Sequence, residues 1–122
     1  MLEESICTKL LASTAVTALT STRLYPIFLP QNTTYPAQTY QRISTMPINT
    51  ISGYSYLENA RIQIDSWATS YSAVKTLARA TLKAMDASTS YKAVLEMEQD
   101  TFEPEVELYR VIQDYSCWQA TT

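Results

Sequence analysis

From Ala60 to Ala68 the chain alternates without a break. Ala60, Ile62, Ile64 and Ser66 fall on one parity, and Arg61, Gln63, Asp65 and Trp67 on the other. A period of two is a strand whose faces meet different environments, here a core on one side and a polar setting that keeps a tryptophan on the other. The period then lengthens. In "TSYSAVKTLARATLKAM" the residues Tyr71, Val74, Leu77, Ala78, Thr81, Leu82 and Met85 form a helical stripe, with Thr69 or Ser70 as the N-cap. Lys75, Arg79 and Lys83 sit on another side of the same helix, spaced i, i+4 and i+8 as one basic ridge.

The rest of the chain is read in the same way. Leu2, Ile6 and Leu10, continued by Leu11, Ala15 and Leu19, predict an opening amphipathic helix with Glu3 and Glu4 at its positive end. That helix is expected to stop near Thr17 to Leu19, because "STAVTALTST" is rich in hydroxyl and β-branched side chains that disfavour helix interiors. Pro26, Pro30 and Pro36 punctuate two short strands, about Arg23 to Tyr25 and Ala37 to Ser44. Loops are expected over Ile27 to Tyr35 and over Thr45 to Tyr56, the second holding the only glycine, Gly53. Two strands, "YKAVLEMEQ" and "VELYRVIQDYSCWQ", close the chain. Around their turn stand Glu96, Glu98, Asp100, Glu103, Glu105 and Glu107, with no base between them.

Strand, helix and strand pair together predict a split βαβ unit, in which the last strand is inserted antiparallel between two parallel ones. The expected fold is therefore α+β: a central mixed or antiparallel sheet of about five strands with two helices on one face. "RIQID" and "RVIQD" both carry Arg-x-x-x-Asp, which suggests a register with Gln63 opposite Ile112, Arg61 facing Asp114 and Asp65 facing Arg110. Ala60, Ile62 and Ile64 would then meet the helices together with Tyr109, Val111, Tyr115 and Cys117. The other face would show Arg61, Asp65, Trp67, Arg110, Ile112, Asp114 and Trp118. Such an aromatic and charged face fits a subunit interface. The alternative is that both tryptophans pack beneath their own chain's long loops.

Composition narrows the function. The 122 residues fit a single domain over 1–122, and 46% hydrophobic with 17% charged residues is the balance of a folded chain. A net charge of −3 argues against binding nucleic acid by neutralising phosphates, although DNA could still slide past. No apolar run reaches membrane-span length, and the acidic start "MLEESIC" is unlike a secretory signal. Cys7 and Cys117 lack metal spacing and are expected to be reduced, partly buried thiols. The chain has no histidine, no nucleophile elbow and no glycine-rich phosphate loop, and the acidic run matches no EF-hand. No catalytic, cofactor or metal site is therefore expected.

In order, "RLYP" at 23–26, "YQRIS" at 40–44, "ARIQIDSWA" at 60–68 and "LYRVIQDYSCW" at 108–118 resemble the tail completion proteins of long-tailed bacteriophages, also called tail terminator or tail-to-head joining proteins. The specific part is the Arg-x-Gln-x-Asp-x-Trp strand combined with the final Tyr-Arg strand. The resemblance implies a virion protein, assembled in the host cytoplasm, that forms a ring, typically of six copies, on the head-proximal end of the tail tube. Such a ring stops tube polymerisation and presents a surface to the head-side connector, while DNA passes through its lumen without specific binding. It needs no enzyme activity, cofactor or membrane. Within a ring, Lys75, Arg79 and Lys83 would meet Glu96, Glu98, Glu103 and Glu105 of the neighbour, or the acidic hairpin would line the lumen. The two long loops would be disordered in the free subunit and make contacts in the virion. A head completion protein of the same neck, or a small ligand-binding domain, are the other readings.

Overall fold

The computed structural model describes residues 2–20, 23–30, 33–50, 53–86 and 92–120. In chain order the elements are α1 (Leu2–Ala12), α2 (Thr14–Thr20), β1 (Leu24–Pro26), β2 (Ala37–Thr50), β3 (Gly53–Ala68), α3 (Tyr71–Asp86), β4 (Lys92–Glu103) and β5 (Leu108–Ala120). The strands form one sheet in the order β1-β2-β3-β5-β4. β1 pairs parallel to β2, and every other pairing is antiparallel. β5 thus lies between β3 and β4, which is the split βαβ unit that the strand and helix pattern predicts.

All three helices cover one face. Ile6 and Leu10 of α1, Val16 of α2 and Leu77 and Met85 of α3 share a buried cluster with Ala60, Ile62 and Ile64 of β3 and Tyr115 and Cys117 of β5. The opening helical stretch is two helices rather than one. It breaks at Ser13, whose backbone N–H donates to the Leu10 carbonyl at 3.2 Å and whose Oγ accepts from the Val16 N–H at 3.4 Å. Ser13 is the N-cap of α2, so the hydroxyl-rich stretch restarts the helix instead of ending it. Ser70 caps α3, its Oγ accepting from the Ala73 N–H at 3.2 Å.

A polar band crosses the helix–sheet interface and separates this cluster from a smaller one formed by Ala68, Val74, Ala78 and Val111. The buried Gln38 amide donates to Thr81 Oγ1 at 2.6 Å and to Ser66 Oγ at 3.1 Å. The Gln113 amide donates to the Ala78 carbonyl at 3.1 Å and to Glu98 Oε1 at 2.9 Å. Apolar packing alone lets a helix slide on a sheet. These directional bonds fix α3 at one axial position, because each buried amide loses about 1–3 kcal/mol if its partner moves away.

Three expectations need correction. The segment Thr45 to Tyr56 is not a loop: β2 continues to Thr50 and β3 starts at Gly53, while Ile51 and Ser52 lie outside the described residues. Pro47 lies inside β2, which among the described residues β1 covers only over Gln38–Tyr40, and an uncovered edge is where a strand tolerates proline. The β3–β5 register is shifted by two residues, with Gln63 opposite Asp114, Asp65 opposite Ile112 and Arg61 opposite Ser116. A two-residue shift keeps every side chain on its predicted face. It also sets Trp67 directly opposite Arg110, which the other register would not. Arg61 and Asp114 form no ion pair among the described residues.

Replacing Thr81 by Val keeps the side-chain shape but removes the nearer of the two acceptors for the Gln38 amide, leaving Ser66 Oγ. It is expected to destabilise the fold by about 1–3 kcal/mol in urea unfolding, with the m-value unchanged.

Candidate functional site

The sheet face away from the helices is where the alternation of β3 and β5 brings the predicted polar residues together. Asp65 is only 5% exposed there. The Arg110 guanidinium bonds the Asp65 carboxylate and also reaches Glu103 Oε1 at 3.3 Å. The same guanidinium lies 4.7 Å from the Trp67 ring centroid, and Gln63 donates to Asp65 at 3.0 Å. Asp65 and Arg110 meet diagonally, since the register pairs Arg110 with Trp67. Stacking and ion pairing therefore act on one side chain, a geometry that favours arginine over lysine.

The two tryptophans have different fates. Trp67 borders a cleft with Leu29, Pro30 and Tyr35 of the loop after β1 and with Val106 and Leu108. Trp118 stays 39% exposed on the uncovered face. Asp114 is half-buried and Arg61 exposed. Earlier in the same loop after β1, Ile27 and Phe28 project into solvent, and Ile27 holds a positive φ of 71°. The Phe28 N–H donates to the Pro26 carbonyl at 2.8 Å, which closes a tight turn on a β-branched residue that disfavours it.

The charge clusters fall on the other side, and they meet within one chain. A bulge between Leu95 and Met97 leaves Glu96 out of the ladder, so the parity of β4 reverses. Before the bulge Ala93 and Leu95 face the helices. Beyond it Glu98 is paired with Gln113 and Asp100 with Val111, both helix-facing positions. Lys75 lies 3.2 Å from both Glu98 and Asp100, and Arg79 is 3.6 Å from Glu98. Lys83 and Glu105 take no part in this network among the described residues, and Glu103 turns to Arg110 instead.

Tyr71 completes the cluster. Its hydroxyl donates to Asp100 Oδ2 at 2.6 Å, and its ring packs at 5.8 Å on Tyr109, which in turn lies 4.9 Å from Phe102. The bond to Asp100 raises the tyrosine pKa, and the bonds from Tyr71 and Lys75 hold the Asp100 carboxyl below its ordinary value despite partial burial. Burial pulls Lys75 down, but the bonds to Glu98 and Asp100 outweigh it and leave the ammonium raised. Cys117 is pushed up to about 12 by burial, and Cys7 is a half-buried free thiol. Among the described residues no group of three His, Cys, Asp or Glu could hold a metal ion, and no helix is long and apolar enough to cross a membrane.

Sequence reasoning placed the face residues but missed the polar band. The signal was present, because Gln38 and Gln113 fall on the inward parity of their strands, where an amide requires a partner.

A family model described as tail completion protein gp17 matches residues 4–120. The chain belongs to this family. It is accordingly a structural protein of the bacteriophage virion, located at the tail or neck. No curated protein sequence matches the chain. A chain in a structure titled "Virion of native gene transfer agent (GTA) particle" is 14% identical, with 96% of this chain and 92% of that chain covered and a TM-score of 0.78, which shows a shared fold. A structure from Akkermansia muciniphila is 10% identical over 67% of this chain and 45% of its own, with a TM-score of 0.37 that supports no argument.

Two outcomes follow from these contacts. Asp65→Ala leaves the stacked Arg110 with only Glu103, and is expected to lower stability by about 2–4 kcal/mol in thermal unfolding and to change Trp67 fluorescence. The lowered Asp100 carboxyl adds stability above its unfolded pKa that is lost as pH falls through the folded one. An NMR titration should therefore show Asp100 protonating below the ordinary carboxylate range, and Lys75→Met should move it up towards that range.

Proposed function

We propose that the protein acts as a ring of copies, typically six, on the head-proximal end of the tail tube, where it ends tube polymerisation and joins the tail to the head-side connector. DNA passes through the lumen without specific binding, in keeping with the net charge of −3. The observation that carries this reading is the uncovered sheet face. No helix packs on it among the described residues, yet it keeps Trp118 and Met97 substantially exposed on the same face as the Asp65–Arg110–Trp67 assembly. Large apolar side chains held on a stiff, partly charged surface are the composition of a contact that forms without rearrangement. In this reading the open face makes the axial contact with the tube or the connector.

The work is geometric. A terminator has to match the tube's end, stay put and offer a different surface on its far side, and none of this needs a reacting group. Light scattering of the purified chain across concentration, followed by negative-stain images with tail tubes, tests the proposal: rings in solution or only on tube ends are expected. Failure to bind tube ends while binding the head-side connector would overturn it in favour of a head completion role. Trp118→Ala is expected to lower tube-end occupancy by about 10- to 100-fold, the loss typical of an aromatic anchor, with little change in thermal stability.

A further inference from the structure

The break at Ser13 has a consequence on the surface of the helical layer. Where α1 gives way to α2, the two helices leave a groove along α3, floored by Ala12, Ala15, Ala80 and Ala84. The groove is two adjoining hollows with a basic rim: Lys9 lines one, Arg79 and the already paired Lys75 line the other, Lys83 lines both, and no carboxylate is among the lining residues. Lys83 has no carboxylate partner among the described residues, and Arg79 keeps 60% of its side chain exposed despite its contact with Glu98. A small apolar side chain flanked by carboxylates would fit this groove.

The same chain carries such a group. The turn between β4 and β5 spans Pro104 to Glu107, and its apolar residue, Val106, is 59% exposed between the exposed Glu105 and Glu107. Glu107 takes a φ of 54°, so the backbone folds back sharply beside Val106. We infer that the Glu105–Val106–Glu107 turn of one copy docks in the Lys9–Arg79–Lys83 groove of the next. This inference rests on the ring reading and supplies its lateral contact.

The contact cannot form within one chain. The β4–β5 turn lies past Phe102 at the Tyr71 end of α3, where Tyr71 packs against Tyr109. Ala80 and Ala84 lie roughly 13–20 Å further along the helix at 1.5 Å per residue. A patch that meets a different patch on the next copy is heterologous, and it closes into a ring when the rotation permits. One turn in one groove buries far less than the roughly 1,200 Å² of a stable pair, so two free copies bind weakly. Repetition around a closed ring makes the contact strong, and salt weakens it.

The contact is tested by cross-linking. In a Cys7→Ser background, Lys83→Cys protein is mixed with Glu105→Cys protein at tail-tube ends and treated with a short bis-maleimide. Cys117 stays inert because it is buried. A covalent dimer in the mixture, absent from either variant alone, is the expected result. If both variants cap tubes as rings of wild-type mass and no dimer forms, the turn lies elsewhere, as it would if it lined the lumen. That outcome overturns this contact and leaves the ring reading standing. If the wild-type chain forms no rings on tube ends, the ring reading itself fails and the contact with it. Lys83→Glu or Glu105→Lys alone is expected to lower ring formation about 10-fold, and the double variant to restore it to within about threefold. A double variant no better than the singles, in folded protein, argues against pairing of these two positions.

Discussion

Everything on the helical side depends on where α3 sits, and α3 is held by two buried glutamines. Gln38 reaches it from β2 through Thr81, and Gln113 reaches it from β5 through the Ala78 carbonyl. Three of the seven buried positions of α3 are alanines, Ala78, Ala80 and Ala84. Small residues let a helix approach the sheet closely but give it little to interlock with. The amide bonds supply the missing direction. Once α3 is fixed, Lys75 and Arg79 are fixed too, and so is the groove where α3 meets α1 and α2.

The second constraint is the bulge at Glu96. Without it, β4 would keep one parity throughout, and Glu98 and Asp100 would point to the uncovered face beside Asp65 and Asp114. With it, they turn to the helix side and meet Lys75, while Gln113 ties Glu98 to the polar band. One extra residue thus separates two kinds of acid. Glu98 and Asp100 stabilise the packing of α3, and Glu105 and Glu107 remain on the turn with their charge directed outward. Exposed ion pairs contribute little individually, so the effect of the bulge is mainly to place charge.

Periodicity made much of this legible. The strict alternation of β3 and β5 gave the correct faces, and the stripe from Val74 to Met85 gave α3 and its side of the sheet. Registers and irregularities were less visible. Two Arg-x-x-x-Asp strands are compatible with pairings two residues apart, and the register adopted is the one that sets Arg110 over Trp67. A bulge leaves no mark in a run such as "LEMEQD", where acids fall on both parities. Pro47 concealed the continuation of β2 because a proline's meaning depends on whether a neighbouring strand is present. The two charge clusters were visible as clusters, but the sequence could not show that part of each is neutralised within the chain.

A protein that assembles from a sheet must also avoid assembling without limit, and the sheet edges bear on this. β1 is three residues long, β2 beyond it is bulged after Arg42 and contains Pro47, and β4 is bulged and carries Lys92, Glu96, Glu98 and Asp100. Short strands, bulges, proline and charge are the features that discourage edge-to-edge pairing. With backbone pairing discouraged at both edges, association is left to side-chain patches on rigid elements. Such patches have a defined angle and a finite number of partners, whereas an open ladder of backbone hydrogen bonds extends for as long as copies are available. For a component at a tail end, where growth must stop, that difference is the functional one.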